Sequence, residues 1–171
     1  SIYISDGYGN SRIHHYTPQG KLIGSWGERG TGPGQFMIPH GVEVDPSGLV
    51  YVADRENSRI QIFTSSGQYV SEWRGVHRPN EILHGSDGAM YVAELGMRQG
   101  TSPDADEVTV VTPHSGVKIM TKNGQWLGGW GADTHTAGDL VAAHAVGVDS
   151  EGSLYVGETL DGARLQKFIR V

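Results

Sequence analysis

The chain has no cysteine among its 171 residues. That excludes a disulfide framework and any thiolate metal site, while leaving the compartment open. Aromatic residues are scarce, at 8 %. Basic residues are outnumbered, 13 against 19 acidic, for a net charge of −6. No nucleic-acid partner is expected, because phosphate-binding surfaces are usually basic. No apolar run approaches the ~20 residues of a membrane span, so no spanning segment is expected. No signal peptide is visible, and residue 2 already opens a strand. What the chain has in excess is glycine. Its 26 glycines fall at turns between short apolar runs, which is an all-β pattern.

Those runs repeat. Ile2-Tyr3-Ile4-Ser5-Asp6 with Arg12-Ile13 returns as Val50-Tyr51-Val52-Ala53-Asp54 with Arg59-Ile60. Both copies then reach a Gly turn and a Trp, Gly20 to Trp26 and Gly67 to Trp73. A period of tens of residues with strand patterning predicts a repeat architecture. The second copy is complete. It reads as Gly41–Asp45, a buried Leu49–Asp54, a half-buried alternating Arg59–Phe63, and Gln68–Trp73. Four antiparallel strands joined by tight turns make one propeller blade.

The third copy carries an insertion at 96–114, rich in Thr, Ser, Pro and Asp. The fourth copy stops inside its third strand, Leu165–Phe168, and the first begins with its second. The blades are expected at about 1–30, 36–75, 79–131 and 140–171. This predicts an all-β propeller of about three and a half four-stranded blades. A closed ring takes roughly four to eight. The remaining blades are therefore expected from a longer parent chain or from self-association.

The run from Pro39-His40-Gly41-Val42 through Tyr51-Val52-Ala53-Asp54 to Arg59-Ile60-Gln61-Ile62-Phe63 resembles the NHL repeat, a β-propeller unit. A narrower resemblance lies in Ser5–Ile13, Gly34–His40 and Val52–Gln61. In order and spacing these are similar to the peptidyl-α-hydroxyglycine α-amidating lyases. That family is a six-bladed, zinc-bearing propeller. It splits a peptidyl-α-hydroxyglycine into a peptide amide and glyoxylate.

The resemblance implies site residues. The family holds zinc with three histidines from alternate blades, and His40 and His144 match two of them. Gly48 and Gly152 align, so the two histidines share one register. Asn80 has that register in the blade between and is expected to contact substrate. Tyr8 matches the catalytic tyrosine and Arg55 an active-site arginine. The reaction implied is metal-assisted, with Tyr8 taking the proton of the substrate's hydroxyl before the C–N bond breaks. The third His and a second Arg have counterparts only ahead of residue 1. The family's structural calcium uses an Asp directly after the last ligand, where this chain has Ala145. The family's Cys beside the catalytic Tyr is Gly9 here. A small-molecule or peptide substrate and a secreted or periplasmic location are also implied.

From the residues alone, plainer readings stand beside these. Tyr8 reads as a surface aromatic over a turn, and Arg55 as a salt bridge to Asp54 or Glu56. His14 and His15 point to opposite faces of one strand and do not chelate together. His77, His84, His114 and His135 are expected in or near loops and solvated, and the acidic Asp104-Ala105-Asp106-Glu107 in a solvated loop. Asp6, Asp54, Glu94 and Glu158 recur at one blade position and read as caps on turn amides. Trp26, Trp73 and Trp130 read as packing between blades. Two other functions fit the repeats: a non-catalytic NHL scaffold binding a protein or ligand on its loop face, and a lactonase-like metal-dependent hydrolase.

Overall fold

The computed structural model describes residues 1–96, 115–132 and 135–169. The insertion beyond Gly96, with His114 and the acidic cluster, lies outside the described residues. Four antiparallel sheets follow one another. The first holds β1 (Ile2–Asp6), β2 (Arg12–Tyr16) and β3 (Leu22–Trp26). A short parallel pair follows, β4 (Glu28–Arg29) with β5 (Gln35–Phe36). The second sheet is β6 (Pro39–Val44), β7 (Val50–Asp54), β8 (Arg59–Phe63) and β9 (Tyr69–Trp73). The third is β10 (Pro79–His84), β11 (Met90–Glu94), β12 (Gly116–Met120) and β13 (Trp126–Trp130). The last is β14 (Ala143–Val148), β15 (Leu154–Glu158) and β16 (Leu165–Phe168). Register shows what the outer sheets hold. Asp6 pairs with Arg12 as Asp54 pairs with Arg59, so β1 is a second blade strand. The chain is a partial propeller, with two four-stranded blades between two three-stranded ones.

The local sequence explains each turn. In the first hairpin of a blade, Asp45 Oδ1 accepts from the amides of Ser47 and Leu49, and Asp149 Oδ1 from those of Glu151 and Ser153. These Asp turns fix the strand register. The backbone donors hold the Asp149 carboxyl down to about 2. Blades then join through tryptophan. A Cβ on Gly67 would lie 2.7 Å from the Trp26 ring, and one on Gly124 2.4 Å from the Trp73 ring. Each glycine is the flat seat for the preceding blade's indole. Behind that seam the core is continuous: Tyr51, Ile60, Trp73, Ile82 and Met120 form one cluster across the second and third blades.

The recurring acids cap amides at the start of each inner strand. Asp54 accepts from Met37 N at 2.8 Å, Glu94 from His77 N at 2.8 Å, and Glu158 from Val141 N at 2.6 Å. Two of them anchor a larger lock. β8 was expected to be half-buried, and it is buried on both faces. The cause is the loop of β4 and β5, which lies over its polar side. Arg59 bonds Asp54, Glu72 and the carbonyls of Gly32 and Gln35. Gln61 bonds Gln35 O and Gly34 N. Arg164 and Gln166 repeat this on Glu158, Asp139 O and Gly138 N. In the third blade Gly116 and Lys118 stand at those places, and Lys118 reaches Glu94 at 3.3 Å.

Two histidines expected in or near loops do lie there, but only partly exposed. His84 ends β10, and its Nε2 is buried without a partner. His77 is drawn in by the Glu94 cap on its amide and sits 3.3 Å from Lys118 Nζ.

Candidate functional site

The inner strands β6, β10 and β14 start side by side, and their first residues meet. The rings of His40 and His144 stand edge to face, with centroids 4.8 Å apart. They come from blades that are not adjacent in the chain. Asn80, from the blade between, ties both. Its carbonyl accepts from His40 Nδ1 at 2.9 Å, and its own amide donates to Ala143 O, next to His144, at 3.1 Å. A carbonyl only accepts, so His40 carries its proton on Nδ1. That leaves Nε2 with a free lone pair, the usual state of a metal-binding imidazole whose other nitrogen is oriented by a carbonyl. Asn80 is fully buried and its side chain is turned to Ala143, so its contact with the His40 imidazole runs through the backbone.

Electrostatics favour neutral imidazoles. Burial pushes His40 down, aided by the charge of Arg55 and by His144, against the pull of the Asn80 hydrogen bond. Burial, then Arg55, pushes His144 down. Neutral His is the form that takes a metal.

Tyr8 and Arg55 reach the same mouth. Tyr8 is 77 % exposed, and its ring centroid is 6.3 Å from that of His40. Arg55 Nη1 donates to the Tyr8 hydroxyl at 3.0 Å. The approach needs Gly7: a Cβ there would fall 2.1 Å from Pro39 O. The Asp6-Gly7-Tyr8 sequence therefore lets one blade's loop lie on the start of the next blade's inner strand. Arg55 is buried and fixed by Glu56 at 2.8 Å, while Arg78 holds Glu56 from the other side at 2.9 Å. Sequence reading missed Arg78. Its signal was its place, two residues ahead of Asn80.

Among the described residues no cluster of three or more His, Asp or Glu could hold a metal ion. The fit to zinc is that of two neighbouring imidazoles, His40 oriented by Asn80 O, with further ligands to come from elsewhere.

Comparison with known proteins agrees with this architecture. The NHL repeat family matches residues 36–63. The chain is an NHL-repeat β-propeller. Peptidyl-glycine alpha-amidating monooxygenase B of Xenopus laevis is 30 % identical over 169 residues, 92 % of this chain and 18 % of that protein. Peptidyl-alpha-hydroxyglycine alpha-amidating lyase 1 of Drosophila melanogaster is 38 % identical over 82 residues, 42 % of this chain and 15 % of that one. NHL repeat-containing protein 3 of Homo sapiens is 31 % identical over 176 residues, 98 % of this chain and 46 % of that one. Among solved structures, virginiamycin B lyase from Staphylococcus aureus superposes with a TM-score of 0.59 at 15 % identity, over 94 % of this chain and 49 % of that one. That likeness concerns the fold alone. This NHL-repeat chain thus spans less than half the length of the curated relatives it matches here. It is related both to amidating proteins and to an NHL-repeat protein whose name states no activity.

Proposed function

We propose that the chain supplies part of a zinc-dependent lyase that cleaves a peptidyl-α-hydroxyglycine to a peptide amide and glyoxylate. One observation carries the reading. The His40 and His144 rings meet 4.8 Å apart, with a Tyr8–Arg55 hydrogen bond beside them. His40 and His144 would hold the zinc, which supplies Lewis acidity at the substrate's hydroxyl oxygen.

The remaining work falls to the chain. Tyr8, largely exposed at the mouth, acts in its phenolate form, accepts the hydroxyl proton and becomes neutral. The Arg55 guanidinium, fixed by Glu56, donates to the Tyr8 oxygen and stands against the phenolate charge before that transfer. The O–H electrons become the carbonyl of glyoxylate. The C–N bond breaks toward nitrogen, which takes that proton back from Tyr8 and leaves as the amide. Asn80 keeps the His40 imidazole in place and anchors the backbone just before His144.

Glyoxylate release from an N-acyl-peptidyl-α-hydroxyglycine tests this. Tyr8→Phe in the full-length protein is expected to cut turnover about 10²–10⁴-fold and to leave bound zinc unchanged. Unaltered turnover removes Tyr8 as the base.

A second reading is a non-catalytic NHL scaffold. The likeness to NHL repeat-containing protein 3 across 98 % of the chain favours it. Absence of glyoxylate release, together with capture of a protein on the mouth face, is its expected signature.

A further inference from the structure

A cavity of about 370 Å³ opens beside Tyr8 and is filled by neither the imidazole pair nor the Tyr8–Arg55 contact. Tyr8 forms one wall, Met37 and Ile38 line it with apolar surface, and Arg29 stands among its walls. The backbone is bent to present Ile38. Its φ is 55°, in the left-handed region that a β-branched residue seldom enters. Arg78, placed ahead of Asn80 as Ile38 is ahead of His40, has the same twist, with φ 47°. There the presented side chain closes onto Glu56 at 2.9 Å. At Ile38 it lines open space instead.

The charge in this cavity is unbalanced. Glu56 is held by both Arg55 and Arg78. The Glu28 carboxylate is turned to Gln35 Nε2 at 2.9 Å and is not among the cavity's walls. Arg29 has no ion pair among the described residues, on a chain whose net charge is −6. A ligand entering the cavity therefore meets an apolar floor and one uncommitted guanidinium.

We infer that this cavity receives the side chain preceding the reacting α-hydroxyglycine, and that Arg29 makes it select glutamate. The methylenes lie on Met37 and Ile38 and the carboxylate meets Arg29. The placement rests on the amidating-lyase reading, which puts the scissile bond between His40 and Tyr8. The preceding residue is one peptide unit away, and Tyr8 itself is a wall of the cavity.

The test uses N-acetyl-X-α-hydroxyglycine substrates with X as Glu, Gln, Lys or Ala, and the matching N-acetyl-X amides as inert ligands. Glu is expected to exceed Gln about fivefold in kcat/KM, the scale of an exposed ion pair, with the same ratio in amide Kd by calorimetry. R29E should reverse the order of Glu and Lys. Ile38→Gly, at ease at that φ, should weaken Glu and Gln together relative to Ala and leave their ratio intact. Equal Glu and Gln values in the unaltered protein, or a ratio untouched by R29E, overturn the subsite. If no peptide is turned over, the amidating reading fails, and the amide affinities still decide the subsite.

Discussion

Asp54→Asn is the sharpest probe of how this fold holds its site. Asp54 and Arg59 have side chains 0 % and 1 % exposed, 2.7 Å apart. Asp54 also accepts from Met37 N, Asn57 and Gln61. Burial pushes the Asp54 carboxyl up, against the pull of its donors. The ion pair is therefore no large net source of stability. Breaking it is another matter, because a buried guanidinium loses its nearest counter-charge. The expected loss is about 3–5 kcal/mol. At roughly 2–4 °C per kcal/mol for a chain of this size, Tm should fall by about 6–20 °C. Adding Arg59→Met removes a buried charge left with only the part-exposed Glu72, and should recover part of that loss. Glu158→Gln, in the same lock around the more exposed Arg164, should cost only about 1–2 kcal/mol. Thermal melts followed by tryptophan fluorescence read all four proteins. An Asp54→Asn change below about 1 kcal/mol, or no recovery in the double variant, would refute the reasoning.

The other predictions concern the mouth. Gly7→Ala sets a Cβ against Pro39 O, so the Tyr8 loop must shift; about 1–3 kcal/mol of stability should go, typical of overpacking, and turnover should fall while bound zinc stays. Equal activity in that variant would show that the close approach is dispensable. His40 and His144 are both pushed down when folded. Unfolded histidines take up protons below about 6.5 that these rings refuse. Stability should therefore decline as pH falls from there toward the folded values. The double His40→Gln, His144→Gln variant should show a flatter decline in urea midpoints between about pH 6.5 and 5, and an identical slope would contradict it.

The fold was legible because its units repeat. Val50–Asp54 reads as buried strand from its apolar run, and its pairing with Arg59–Phe63 follows from the one tight turn between them. The burial of Arg59 and Gln61 was not legible in the same way. Polar residues alternating along a strand normally face water, and here a loop from the preceding blade boundary covers them. The usable signal was the recurrence of Arg-x-Gln at 59–61 and 164–166, each after an acid. At the mouth, antiparallel order alone brings the loops after β1 and β7 to the start of β6, which is why Tyr8, Arg55 and His40 lie together. The part played by Asn80 had no side-chain signature, because a backbone carbonyl orients His40. Glu56 and Arg78 act from different blades, and only the closure of the sheets makes them neighbours.

The central claim is that His40 and His144 hold a metal at the mouth. Metal content of the purified full-length protein, measured beside His40→Ala and His144→Ala, tests it most directly. The account predicts zinc in the unaltered protein and its loss from both variants, with the fold intact by circular dichroism. Zinc absent from the unaltered protein, or retained in both variants, would contradict it.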